Sequence, residues 1–129
     1  MKQPILVVDD DKKMREFVAE TLMSRGYSVI AAESDRAGVT AVVQKNPCLI
    51  ILDVAVPVLA DSYFLQIYNE LPEPRAPVIA MISSDQTFER AVLRCVTGCL
   101  DKPFDAGDLL QAVKKYLPWQ RRLAAQRAG

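Results

Sequence analysis

The sequence contains no histidine. This excludes any mechanism in which an imidazole of this chain serves as general base, nucleophile partner or metal ligand, the Ser-His-Asp triad included. Cysteine is scarce: Cys48, Cys95 and Cys99 are odd in number and lack framework spacing, so they read as reduced, partly buried thiols. Cys95 and Cys99 stand close enough to suggest a metal pair. Without histidine or a second thiol pair, small buried apolar residues are the better reading. Neither charge sign is in excess, with Lys+Arg and Asp+Glu both at 16, so nothing marks a direct nucleic-acid binder or a membrane-surface binder. Long hydrophobic runs are absent too. No segment approaches a membrane span, and Met1-Lys2-Gln3-Pro4 leads into a short apolar run without the layout of a signal peptide. A cytoplasmic location is expected.

What remains is an ordinary globular composition, 129 residues long and 50% hydrophobic, enough for one domain with a real core. Two periodicities alternate along it. Continuous apolar runs at Ile5–Val8, Leu49–Leu52 and Val78–Ile82 predict strands buried on both faces, joined by shorter strands at Ser28–Ala32 and around Gly98–Leu100. Between them lie segments with helical spacing. Met14, Phe17, Val18, Leu22 and Met23 form the first stripe, with Asp11 as the cap and Gly26 as the stop. Ser34 or Asp35 caps a second helix carrying Ala37, Val39, Ala41, Val42 and Val43, which ends before Asn46-Pro47. A third helix is expected from about Asp61 to Leu71, with Tyr63, Phe64 and Tyr68 as core or edge packing. Ser84 or Asp85 can cap a short fourth helix ending near Cys95. Asp105, with Asp108 three positions on, can cap a fifth helix striped by Leu109, Leu110, Val113 and Leu117. The tail from Trp119 to Gly129, rich in Arg, Gln and Ala, continues that helix or begins a linker.

Five repeats of strand then helix predict an α/β protein with a parallel sheet covered on both faces. In such sheets ligands bind beyond the carboxyl ends of the strands, where strand order reverses. Asp9 and Asp10 follow strand one, Asp53 follows strand three, Ser83 and Ser84 close strand four, and Lys102 follows strand five. All of these polar groups fall on one edge. Carboxylates gathered at one spot repel each other, and a hard divalent cation held through oxygen is the usual compensation.

These pieces resemble the receiver domain of bacterial two-component response regulators. The matching residues are Val8-Asp9-Asp10, Leu52-Asp53 with Pro57 four residues later, Ser83 or Ser84 closing strand four, and Lys102-Pro103-Phe104. Each alone is weak; all four, in order and at the ends of the right strands, are specific. The resemblance covers about residues 3–118, so a receiver domain is expected over 1–118, with 119–129 as a tail or linker start. It implies a flavodoxin-like, doubly wound sheet of five parallel strands in the order 2-1-3-4-5. It also implies that Asp53 is the phosphoacceptor, and that Asp9, Asp10, Asp53 and the Ala55 backbone carbonyl hold Mg²⁺. Lys102 would pair with Asp53 or the phosphoryl group, and Ser83 would donate to a phosphoryl oxygen. A cis Pro103 peptide bond is common in the family. The implied partners are a histidine kinase or a histidine phosphotransfer protein and a downstream target or effector domain, with a homodimer conceivable through the face of helix four, strand five and helix five. Since the chain has no histidine, any phosphohistidine belongs to another molecule.

The sequence departs from the family in a few places. No glycine follows Pro57 in Val58-Leu59-Ala60-Asp61-Ser62, and the stretch from Ser83 to Lys102 is about one helical turn short. Cys99 stands where an aromatic switch residue is common, and Ala55 has no side-chain group to orient a water. Two alternatives follow. One is a receiver-fold interaction module that signals without phosphorylation. The other is an aspartate-nucleophile phosphohydrolase, which would place its nucleophile at Asp9 and act as an enzyme rather than a signalling switch.

Overall fold

The computed structural model describes residues 3–55, 62–83, 85–88 and 90–128, with side chains as far as Leu117. Expectations about Pro57 and the loop after it, about Ser84, and about the side chains of the tail lie outside the described residues. Five strands, β1 (Ile5–Val8), β2 (Val29–Ala32), β3 (Leu49–Asp53), β4 (Val78–Ser83) and β5 (Gly98–Lys102), alternate with five helices. These helices are α1 (Lys12–Ser24), α2 (Asp35–Lys45), α3 (Tyr63–Glu70), α4 (Arg90–Arg94) and α5 (Ala106–Ala128). The strands form one parallel sheet in the order β2-β1-β3-β4-β5, as the repeat pattern and the resemblance implied.

The continuous apolar runs supply both faces of that sheet. Ile5, Val7, Leu49, Ile51, Ile79 and Met81 point to one side, where they meet Val18 and Leu22 of α1 and Leu109, Val113 and Leu117 of α5. Leu6, Val8, Ile50, Leu52, Val78 and Ala80 point to the other, against Phe64, Leu65 and Tyr68 of α3 and Val92 of α4. Alternate residues of a strand face opposite ways, so a run without polar residues has to be sandwiched between helices.

The caps fall largely where the sequence put them. Asp11 accepts from the Lys13 N–H, and Gly26 ends the first helix with a left-handed φ of 86°. Of the two candidates for α2, Ser34 is the cap, accepting from the Ala37 N–H at 3.1 Å. Asp35 instead accepts from the Phe64 N–H at 3.1 Å, tying α2 to the start of α3. Asp105 and Asp108 form the reciprocal pair at the head of α5, at 3.1 and 2.8 Å. That helix runs without interruption through Ala128.

Several expectations need correcting. α4 begins at Arg90, so Asp85 is not its cap; the Asp85 carboxylate accepts from the Ser83 hydroxyl instead. In α1, Phe17 and Met23 are exposed rather than buried; Phe17 meets Phe104 at a ring-centroid distance of 6.3 Å. In α2, Val43 and Ala37 are exposed, and Gly38 is the buried residue. A Cβ built on Gly38 would lie 2.9 Å from Val8 Cγ2 and 3.2 Å from the Phe64 ring, so the glycine lets α2 press against β1 and α3. Tyr63 is exposed under the Arg36 guanidinium, whereas Phe64 and Tyr68 are core. Cys99 is exposed, since β5 is an edge strand of which only Leu100 is buried.

Candidate functional site

Register alone brings the charged groups together. Val8 of β1 pairs with Ala32 of β2 and with Leu52 of β3, so Asp9 leaves β1 level with Asp53. Asp53 itself pairs with Met81 of β4, and Ser83 pairs with Lys102 of β5. Parallel strands in register end on the same edge, and the first polar residue past each apolar run is delivered there. A cleft of about 300 Å³ opens at that edge, lined by Asp9, Asp10, Glu33, Asp35, Asp53 and Ala55, among others.

Asp9 is the deepest of these groups, at 2% exposure. Its Oδ1 accepts from the Asp11 N–H at 2.9 Å, while its Oδ2 is buried without a partner. Burial raises its pKa, opposed by the Asp11 N–H; Asp53 and Asp10 push it further up, and Lys102 pulls it down. Its backbone is pinned as well. The N–H donates to Ala32 at 3.1 Å, and the carbonyl accepts from Arg15 Nη1 at 2.9 Å. Oxygens of Asp9, Asp10 and Asp53 lie within 4.8 Å of one another.

Lys102 Nζ reaches Asp53 Oδ1 at 2.5 Å from the end of β5. The Lys102-Pro103 peptide bond is cis. Lys102 pairs with one of three neighbouring carboxylates and leaves Asp9 Oδ2 without a hydrogen-bond donor. An orphaned buried acceptor beside two further carboxylates, with only oxygen on offer, fits a hard divalent cation.

Asp9, Asp10, Asp53 and Lys102 therefore meet as the sequence suggested. Ser83 sits on the same edge, but its hydroxyl donates to Asp85 Oδ1 at 2.5 Å rather than into the cleft. The Ala55 carbonyl accepts from Gln86 Nε2 at 2.9 Å. Sequence reasoning missed Arg15, Gln86 and the cleft-lining Glu33 and Asp35. Glu33 and Asp35 carried a findable signal, because they directly follow β2 and so reach the same edge.

Fold and site together define a doubly wound α/β protein whose chemistry lies in an acidic, lysine-countered edge. Residues 5–114 match the response regulator receiver domain, and the chain belongs to that family. It is 34% identical over 119 residues to Protein PilG of Pseudomonas aeruginosa, spanning 88% of this chain and 87% of that one. It is 30% identical to the sporulation initiation phosphotransferase F of Bacillus subtilis, spanning 92% and 96% of the two chains. The signal receiver domain of a putative Luxo repressor protein from Vibrio parahaemolyticus shares the fold, with a TM-score of 0.80 at 22% identity over 100% of this chain and 99% of that one. The protein is a receiver domain of the two-component type, a signalling switch, and the phosphohydrolase alternative is set aside. Among the described residues, no helix is long and apolar enough to cross a membrane.

Proposed function

We propose that Asp53 accepts a phosphoryl group from a phosphohistidine on a histidine kinase or a histidine phosphotransfer protein, in the cytoplasm. A carboxylate oxygen of Asp53 attacks phosphorus, the P–N bond breaks, and the imidazole of the donor leaves with the electron pair and takes up a proton. The product is an acyl phosphate on Asp53. Asp9, Asp10, Asp53 and the Ala55 carbonyl would hold Mg²⁺, which supplies charge neutralisation for the phosphoryl oxygens. Lys102, paired with Asp53 Oδ1 before loading, transfers its contact to a phosphoryl oxygen. Ser83, at the end of β4, turns from Asp85 to donate to another. The loaded state then biases the face of α4, β5 and α5, which a downstream target or effector domain reads, with residues 1–118 as the signalling unit.

One observation carries this assignment. Lys102 at the end of β5 and the two carboxylates after β1, Asp9 and Asp10, converge on Asp53 at the end of β3, at 2.5 Å for the lysine and within 4.8 Å for the acids. Intact-mass measurement after incubation with a small acyl phosphate and Mg²⁺ tests it. Wild type should gain one phosphoryl group and Asp53→Asn none. Wild type that gains nothing, while folded and bound to Mg²⁺, would leave the phosphorylation-independent interaction module as the function.

A further inference from the structure

The turn from β4 towards α4 occupies both neutral groups that loading requires. Gln86 Nε2 donates to the Ala55 carbonyl at 2.9 Å, although the two residues stand 31 apart in sequence. Two residues before Asp85, the Ser83 hydroxyl donates to its carboxylate at 2.5 Å. The Gln86 N–H closes the turn on the Ser83 carbonyl at 3.1 Å. The first two contacts join a donor or acceptor of the site to a side chain just past β4.

We propose that Gln86 is a positioning residue for the metal site, competing with the cation for the Ala55 carbonyl. The inference rests on the assignment of that carbonyl as a metal ligand. An amide N–H aimed at a carbonyl oxygen places positive partial charge where a cation would approach, and draws on the same lone pairs. Metal entry must displace Gln86 or accept a weakened ligand. The carboxylate of Asp85 acts in parallel: as an ionised acceptor it holds the Ser83 hydroxyl more firmly than a neutral group would. Coupling of this kind is reciprocal, so a cation that is opposed by Gln86 also loosens Gln86.

The rest of the turn makes that release directional. Phe88 packs against the cluster of Leu6, Val8, Ile50 and Leu52 and stays anchored while Gln86 lets go. Occupancy of the acidic cleft is thereby linked to the position of Gln86, between the end of β4 and Phe88. In this chain the link does not depend on an aromatic residue at position 99, where Cys99 stands.

The test is a Mg²⁺ titration of the phosphate-free protein, followed by amide NMR of wild type and of Gln86→Met, which keeps the chain length and removes the donor. The Gln86 bond is an ordinary neutral one, so its loss should tighten the Mg²⁺ dissociation constant by about two- to tenfold. In wild type, the Gln86 side-chain amide resonances should shift along the same saturation curve as the Asp53 and Ala55 backbone amides. If Gln86→Met binds Mg²⁺ with unchanged or weaker affinity, or if the wild-type Gln86 side chain stays still through saturation, the gating role is wrong although the metal site stands. A wild type that shows no saturable Mg²⁺ shift overturns the metal assignment and the gating role together. The wild-type side-chain signal decides the question even if the variant fails to fold.

Discussion

Asp9→Asn should stabilise the metal-free protein and destabilise it relative to wild type once Mg²⁺ is present. Asp9 is 2% exposed, carries a buried oxygen without a hydrogen-bond partner and faces two further carboxylates. An unsatisfied buried polar group costs about 1–3 kcal/mol. Asparagine keeps an oxygen for the Asp11 N–H, and its amide can donate towards a neighbouring carboxylate. Recovering about 1–2 kcal/mol of that cost corresponds to a rise in Tm of roughly 4–8 °C for a domain of this size. The sign with pH follows from the raised pKa of Asp9. Ionised Asp9 penalises the folded state above that pKa, so wild type regains stability as pH falls through it. The lead of the variant then shrinks towards zero near the ordinary aspartate value of 3.8. With Mg²⁺ at a hundredfold excess over its dissociation constant, wild type gains about 2.7 kcal/mol by linkage, and a variant that has lost a ligand gains much less. The order of melting temperatures should therefore reverse. Calorimetric or dichroism melts in chelator and in Mg²⁺, at neutral and acid pH, read all of this. A variant that melts at or below wild type in chelator at neutral pH would refute the reasoning, because Asp9 would then be satisfied in the empty site.

Lys102→Met removes the cation 2.5 Å from Asp53 and leaves three carboxylates unanswered, so it should lower metal-free stability and tighten Mg²⁺ binding; weaker binding in the NMR titration would contradict the pairing. Phosphorylated wild type should be long-lived, because the methyl group of Ala55 cannot hold an attacking water. Ala55→Asn should shorten the lifetime on the order of tenfold in a mass time course, and loss from wild type within seconds would refute this. Gly38→Val puts atoms into space closed by Val8 and Phe64 and should cost about 1–3 kcal/mol, read as a lower Tm with phosphorylation of Asp53 retained below the transition.

Local signals wrote most of the scaffold, and long-range contacts wrote the rest. Ile5–Val8 and Leu49–Leu52 identify doubly covered strands because no polar residue interrupts them, and Asp9 and Asp53 then fall at the edge by counting. Asp11, Gly26 and the Asp105/Asp108 pair are caps whose partners lie within a few residues. Gln86 and Asp35 show where this stops. Each looks like a turn or cap residue, yet each bonds to another element, Gln86 to the end of β3 and Asp35 to the start of α3. No spacing rule within one segment carries that information. Asp85 also has the look of a cap, yet α4 begins only at Arg90 and the Asp85 carboxylate accepts from the neighbouring Ser83 hydroxyl. The burial of Gly38 was missed because a glycine adds nothing to an apolar stripe, although its lack of a side chain is what permits the close approach.

The order of the strands in sequence also sets the order in which the site can exist. Asp9 and Asp53 come from the first and third strands, but Lys102 closes the fifth and reaches Asp53 only after β5 pairs with β4. A chain emerging from the ribosome can gather its acids early, yet its counter-cation is synthesised late. Asp53 thus acquires its lysine only when the sheet is complete, which makes the assembled charge pair a marker of finished folding.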